Sequence, residues 1–169
     1  MPLIDMPLNE LKNYRGINPC PPDIDAYWDA ALAEMRRVDA ALEMKPAAFQ
    51  APYAECFDLW FTGVKGARIH AQYLKPRQAA ASHPAVLCFH GYSGSAGEWS
   101  WKLNLVALGF SVAALDCRGQ GGASEDAGGC PGTTWQGHII RGLDGKPEDL
   151  LFRQIFLDTA QLAYLVMEL

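Results

Sequence analysis

Between Tyr53 and Phe89 the apolar residues change their rhythm, and that change limits the possible folds more than any other feature of the chain. From Tyr53 the period is two. Tyr53, Glu55, Phe57, Leu59 and Phe61 share one face, with Cys56, Asp58 and Trp60 on the other. Gly63-Val64-Lys65-Gly66 reads as a turn, and Ala67 to Leu74 alternates again with Ile69, Ala71 and Tyr73 on one side. Two alternating runs joined by a short Gly-containing turn predict an antiparallel hairpin. Ala85 to Phe89 is instead continuously apolar, as is Phe110 to Leu115, and such runs suit strands buried on both faces. Between them a Gly/Ser loop leads into a helix around Ser100 to Leu108, stopped by Gly109. Strand, helix, strand with buried strands is a parallel βαβ unit with a right-handed crossover. The expected class is therefore α/β: an antiparallel hairpin leading into a parallel βαβ sheet, in three α/β/α layers.

Around this centre lie two helical segments and one irregular stretch. Asp23 is placed to cap a helix whose apolar stripe is Ile24, Tyr27, Trp28, Ala31, Met35 and Val38, and Pro46 closes that region. Residues 1–50 thus read as a helical extension of a single domain, with the sheet and its crossovers in 51–169. Cys117 to Asp149 holds nine of the sixteen glycines and no periodic segment, a length of loop that is usually functional. Leu150 to Leu169 reads as a strongly apolar helix buried on more than one face.

Composition serves mainly to exclude. The net charge is -5, with no Lys/Arg cluster, which sets the chain against nucleic acid or an anionic membrane as partner. Met1 to Leu11 has no basic or apolar leader pattern, and no stretch reaches the roughly 18 apolar residues of a membrane span. Five widely spaced cysteines (Cys20, Cys56, Cys88, Cys117 and Cys130) without a C-x-x-C pair fit neither a disulfide framework nor a zinc site. No G-x-G-x-x-G follows a strand, so a dinucleotide cofactor is not expected.

Two segments carry the chemistry. The first is Phe89-His90-Gly91-Tyr92-Ser93-Gly94, where an apolar strand empties into a Gly-rich turn. In α/β-hydrolases the corresponding loop supplies one backbone N–H of the oxyanion hole, because preorganised donors stabilise the charge of a tetrahedral intermediate. Glycine at 91 is expected to let the backbone turn sharply and approach a substrate. The second is Asp116-Cys117-Arg118-Gly119-Gln120-Gly121. Taken alone, Arg118 is most simply a surface salt bridge.

Together these segments resemble carbohydrate esterase family seven, the acetyl xylan esterases and cephalosporin C deacetylases. The resemblance rests on His90-Gly91-Tyr92-Ser93-Gly94, Gly97-Glu98-Trp99 and Arg118-Gly119-Gln120-Gly121. It continues in Thr133-Thr134, in Gly137-His138-Ile139-Ile140-Arg141-Gly142, and in Pro22-Asp23 with Tyr27-Trp28. Glu98 stands where the family often has Asp. The resemblance implies that Tyr92 contributes a backbone N–H to the oxyanion hole and its ring to the acyl pocket, beside Gly91. It implies that His90, Arg118, Gly119 and Gln120 support the loops around the site, and that Asp116 anchors a loop. It further implies an acetyl-ester hydrolase acting on small acetylated substrates, without cofactor or metal, cytoplasmic, and assembled as a homo-oligomer, typically a hexamer.

The family's nucleophilic Ser lies in a Gly-x-Ser-Gln-Gly elbow, with its Asp and His further on, and this sequence contains no such elbow. Gly91-Tyr92-Ser93-Gly94-Ser95 and Gly122-Ala123-Ser124-Glu125-Asp126 both miss the final Gly. His70, His83 and His138 read as structural or solvated residues. The expectation is thus an N-terminal half of an esterase whose triad lies elsewhere, with Ala85 to Phe89 left as an apolar edge. The competing expectations are a noncatalytic half-domain that binds or complements a partner, and a different α/β-hydrolase activity such as a peptidase.

Overall fold

The computed structural model describes residues 6–126 and 140–169. The elements are α1 (Leu8–Leu11), α2 (Ile24–Arg36), β1 (Glu43–Pro46), β2 (Ala54–Thr62), β3 (Arg68–Pro76), β4 (Ala85–Phe89), α3 (Leu103–Ala107), β5 (Ser111–Leu115) and α4 (Leu151–Glu168). Short 3-10 turns cover Val64–Gly66, Ser100–Lys102 and Pro147–Asp149. The five strands form one sheet in the order β1-β2-β3-β5-β4. The first three pairings along that order are antiparallel and the last, β4 with β5, is parallel.

The hairpin and the βαβ unit form where the patterns place them. β2 and β3 pair from Ala54↔Pro76 to Thr62↔Arg68. Leu59, Phe61, Ile69, Ala71 and Tyr73 turn to one face, where they bury with Ala113 and Leu115 against Leu151, Ile155, Leu162 and Val166 of α4. Each large side chain buried there contributes about 2 kcal/mol of transfer free energy. Cys56, Leu74 and Val112 turn to the other face and pack with Val106 of α3. α2 adds Ala31 and Met35 against Leu157 of α4 and Val64. Helices thus cover both faces of the sheet, giving the three layers expected. Gly109, at φ 93°, stops the helix before β5, because the left-handed conformation carries no steric cost at glycine.

Three local expectations need correcting. Asp23 precedes α2, but its side chain makes no capping bond; its backbone at φ -102° and ψ 10° leaves the extended range that such caps use. Its carbonyl instead accepts the Tyr27 N–H at 2.9 Å. The segment read as a helical extension also contains β1, a four-residue edge strand beside β2. All four of its residues are exposed, so no alternation marks it, and Pro46 at its end suits a sheet edge. Lastly, β4 is not buried on both faces. Among the described residues it is the edge strand, as the expectation of an apolar edge at Ala85 to Phe89 had it, with Ala85 and Phe89 exposed and the three residues between half-buried, whereas every residue of β5 is buried.

Candidate active site

Because β4 and β5 are parallel with Phe89 opposite Leu115, the chain leaves both strands on the same side of the sheet. His90 and Asp116 therefore begin neighbouring loops at the carboxyl ends of two strands, where sites of open α/β sheets lie. His90 ties the loops together. Its Nδ1 lies 2.7 Å from the Gly91 carbonyl, and its Nε2 accepts the Cys117 N–H at 2.9 Å. The pattern fixes the neutral tautomer with the proton on Nδ1 and leaves neither ring nitrogen for proton transfer.

The turn after His90 is pinned from the second loop. The Gly94 N–H bonds the Gly91 carbonyl at 3.0 Å, and Ser93 adopts φ 59°. Gln120 Oε1 accepts the Ser93 N–H at 2.8 Å, and the Gly121 N–H donates to the Gly94 carbonyl at 2.9 Å. Gly121 is required by close approach: a Cβ there would stand 2.7 Å from the Ser93 carbonyl oxygen. Gly91 behaves otherwise than expected. Its φ lies outside the left-handed range, and a Cβ there would meet nothing within 4 Å. The sharp turn belongs to Ser93, and Gly91 borders open space. That space is a depression of about 410 Å³ lined by Phe89, Gly91, Tyr92, Gln120, Phe152 and Phe156 among others, with Tyr92 49% exposed on its rim.

Arg118 is no surface salt bridge; it is 0% exposed. Its guanidinium grips Asp158 of α4 through two bonds of 2.6 Å and donates to Gln154 Oε1 at 2.8 Å and the Val64 carbonyl at 3.3 Å. A bidentate pair of this geometry fixes direction as well as distance, so the loop after β5 is locked to α4 and to the β2–β3 turn. Gly119, at φ 69°, turns the chain from this anchor to Gln120.

Asp116 is a loop anchor, as the resemblance implied, and it anchors more than one loop. Its Oδ1 accepts the Ala96 N–H at 2.5 Å, and its Oδ2 accepts the Ala123 N–H at 2.9 Å and contacts His70 Nδ1 at 2.7 Å. Burial acts to raise its pKa, but His70 and the two amides prevail and hold the carboxyl below its ordinary 3.8. Gly122 packs directly on this carboxylate, where any side chain would collide with it.

Lys102 completes the set. Its fully buried ammonium donates to Gln72 Oε1, the Ala96 carbonyl and the Glu98 carbonyl at 2.6, 2.7 and 2.9 Å. It also lies over the Trp101 ring, 4.6 Å from the centroid. Burial pulls its pKa down to about 8 despite nearby acidic groups. Gln72 Nε2 donates to the Gly97 carbonyl at 3.0 Å, so residues 96–98 are held at every peptide.

Sequence reasoning gave no role to Lys102, Gln72 and Asp58, and read His70 only as structural or solvated. The last two could have been found: hairpin register places Trp60 opposite His70 and Asp58 opposite Gln72 on one face, a polar patch where apolar residues were available.

No group here is arranged as an activated nucleophile. Among the described residues, no hydroxyl is bonded to an imidazole that a carboxylate holds in turn. Ser111 Oγ lies 2.7 Å from His83 Nε2, but His83 Nδ1 faces the Ala80 carbonyl and Ser111 is 2% exposed at the opposite end of β5. Ser124 accepts the His70 N–H and donates to the Asp116 carbonyl. Cys117 borders the depression, yet burial pushes its thiol up to about 11, which keeps it protonated. Thr133, Thr134, Gly137, His138, Ile139 and Cys130 lie outside the described residues. Arg141, at the end of that signature, is buried and paired with Asp126.

A mixed sheet whose parallel pair carries two mutually pinned loops at its carboxyl ends defines the N-terminal part of an α/β-hydrolase-type fold. The chain belongs to the acetyl xylan esterase (AXE1) family, whose model matches residues 1–169. It is similar to the crystal structure of acetyl xylan esterase 1 from Thermoanaerobacterium sp. JW/SL YS485, at 59% identity and a TM-score of 0.91 over 98% of this chain. It also matches the acetyl xylan esterase from Paenibacillus sp. R4, at 26% identity and a TM-score of 0.86 over 97% of this chain. In both comparisons it spans about half of the relative, 52% of that chain. No described helix is long and apolar enough to cross a membrane.

Proposed function

We propose that the chain supplies the oxyanion-loop part of a serine esterase that removes acetyl groups from small substrates. Acetylated xylo-oligosaccharides are the first candidates and cephalosporin C-like molecules the second. In this reading a serine hydroxyl, activated by a histidine and its acid from sequence beyond residues 1–169, attacks the acetyl carbonyl carbon. The proton passes to the histidine, and the negative charge on the carbonyl oxygen is stabilised by the Tyr92 backbone N–H. Collapse expels the sugar oxygen, which takes the proton back, and water then hydrolyses the acetyl-enzyme by the same steps. The Tyr92 ring and Gly91 border the acyl group, and His90, Arg118, Gly119 and Gln120 keep the loops in place. The working form is a cytoplasmic homo-oligomer, a hexamer as in the family, and the reaction uses no cofactor.

The observation that carries this reading is the loop from Gly91 to Gly94, pinned by Gln120 and Gly121 beside an apolar depression. Its test is hydrolysis of p-nitrophenyl acetate and acetate release from acetylated xylo-oligosaccharides, with a serine-directed phosphonate located by mass spectrometry. Turnover with the phosphonate on a serine outside residues 1–169 is expected. An adduct on a serine inside them overturns the assignment of the nucleophile. Binding of a partner with neither turnover nor adduct favours the noncatalytic reading.

A further inference from the structure

His70 sits on β3 with a carboxylate at each ring nitrogen: Asp116 Oδ2 at 2.7 Å from Nδ1 and Asp58 Oδ1 at 3.2 Å from Nε2. A neutral imidazole carries one N–H, so one of these contacts would then set a nitrogen lone pair against a carboxylate oxygen. Both are satisfied only when both nitrogens carry protons. The Trp60 ring lies against the imidazole at a centroid distance of 4.7 Å, and His70 and Asp116 are both nearly buried, so water does not replace the Asp116 contact, whereas Asp58 is part-exposed.

The charged groups around it come from each neighbouring element. β2 contributes Asp58, and the end of β5 contributes Asp116. Lys102 lies beyond Asp116 and adds positive charge to that carboxylate's surroundings. In the loop after β5, Glu125 accepts the Arg68 N–H two residues before His70, and Ser124 Oγ accepts the His70 N–H at 2.8 Å. The carboxylates prevail over burial and hold the imidazole above its ordinary 6.5.

From this geometry we infer that His70 is a positioning residue for the acyl site, held as an imidazolium between Asp58 and Asp116 so that Asp116 keeps the loops bearing Ala96 and Ala123 in place. The inference rests on the esterase reading for its effect on rate. The oxygens of Asp116 are shared between the imidazolium and two amides, one in each loop that frames the depression. Deprotonating His70 removes one N–H donor and sets a bare nitrogen against a carboxylate. Because Asp116 and Asp58 share the ring, loss of the proton loosens the hold on Asp116, and its bonds to the Ala96 and Ala123 amides weaken. Tyr92, four residues before Ala96 in the same loop, shifts with it.

The test uses the intact protein, its Asp58→Asn and His70→Gln variants, and two readouts. The first is kcat and KM for acetyl-ester hydrolysis against pH. The second is the amide signals of Ala96 and Ala123 in 15N-alanine-labelled protein over the same pH range. In the parent, kcat falls and both amides shift together as pH rises through the raised histidine value. Asp58→Asn moves both transitions to lower pH. His70→Gln abolishes them and lowers kcat about tenfold with KM within about twofold. That loss is smaller than the about 10²–10³-fold for deleting an oxyanion donor outright, because the donor is displaced and not removed. Amides indifferent to the His70 titration, or an Asp58→Asn profile that superposes on the parent's, overturn the inference even if the enzyme is active. If the parent hydrolyses no acetyl ester, the esterase reading falls, and the amide titration alone still decides whether His70 holds the two loops.

Discussion

β4 and β5 are similar in sequence, five apolar residues in the first and Ser111 followed by four in the second, and lie hydrogen-bonded in parallel with Leu87 opposite Ala113. They end in very different surroundings. β5 is flanked on both sides in the sheet, covered above and below, and runs directly into two buried charged groups, Asp116 and Arg118. β4 has one neighbour among the described residues, exposes Phe89 at 48%, and runs into His90 and an exposed Tyr92. An apolar run therefore reports that a strand has surface to bury, and its place in the sheet decides how much of it is buried. The charged residues at the two strand ends differ in the same way: Asp116 and Arg118, where the chain is covered, are each held by several partners, and there they lock the loops.

The strongest way to break this comparison is to put the same carboxylate at the paired positions. Ala113→Asp is expected to cost more than about 4 kcal/mol, because it buries a charge without a partner. Leu87→Asp, on the half-buried neighbour, is expected to cost about 1–2 kcal/mol, since its carboxylate can reach water. Equal losses in urea unfolding would show that the two strands are equally covered in solution. Three residues beyond each strand the contrast recurs. Arg118→Met leaves the Asp158 carboxylate buried without its bidentate partner and is expected to cost about 3–5 kcal/mol. Tyr92→Ala, at the matching place after β4, should stay below about 1 kcal/mol.

The third prediction is smaller and concerns pH. The Asp116 carboxyl is lowered in the folded state, so its contribution is complete above the unfolded value of 3.8 and disappears as pH falls through its folded value. His70 is raised, so its contribution is complete below 6.5 and disappears as pH rises through its folded value. The urea midpoint should therefore be highest between these limits. Asp116→Asn should flatten that maximum and cost about 2 kcal/mol, typical of hydrogen bonds to a charged group. An unchanged midpoint profile would detach this carboxylate from the stability of the β5 end.

Much of the architecture was legible because period is a local property. The alternation of Tyr53 to Phe61 and the runs at 85–89 and 110–115 each announce their own element. β1 was not legible, since Glu43–Pro46 gains its structure from β2 and from no pattern of its own. The loops of the site were found through His90, Gly91, Tyr92 and Arg118-Gly119-Gln120, residues recognisable by type and order. What holds those loops was harder to see. Asp116, His70 and Asp58 span 58 positions of chain, and Lys102 reads as an ordinary surface lysine until the fold brings Gln72 and two carbonyls to it.

The Arg118–Asp158 pair also bears on how quickly the molecule comes apart. Its partners are 40 residues apart in sequence, whereas the β2–β3 hairpin closes over a short turn. Contacts that span so much chain form after the hairpin has organised, because loop closure must precede them. An interaction completed late in folding is absent from the transition state, so its loss appears almost wholly as faster unfolding, with the folding rate little changed. The arginine that steadies the loop after β5 is thus expected to act chiefly as a latch on the lifetime of the folded state.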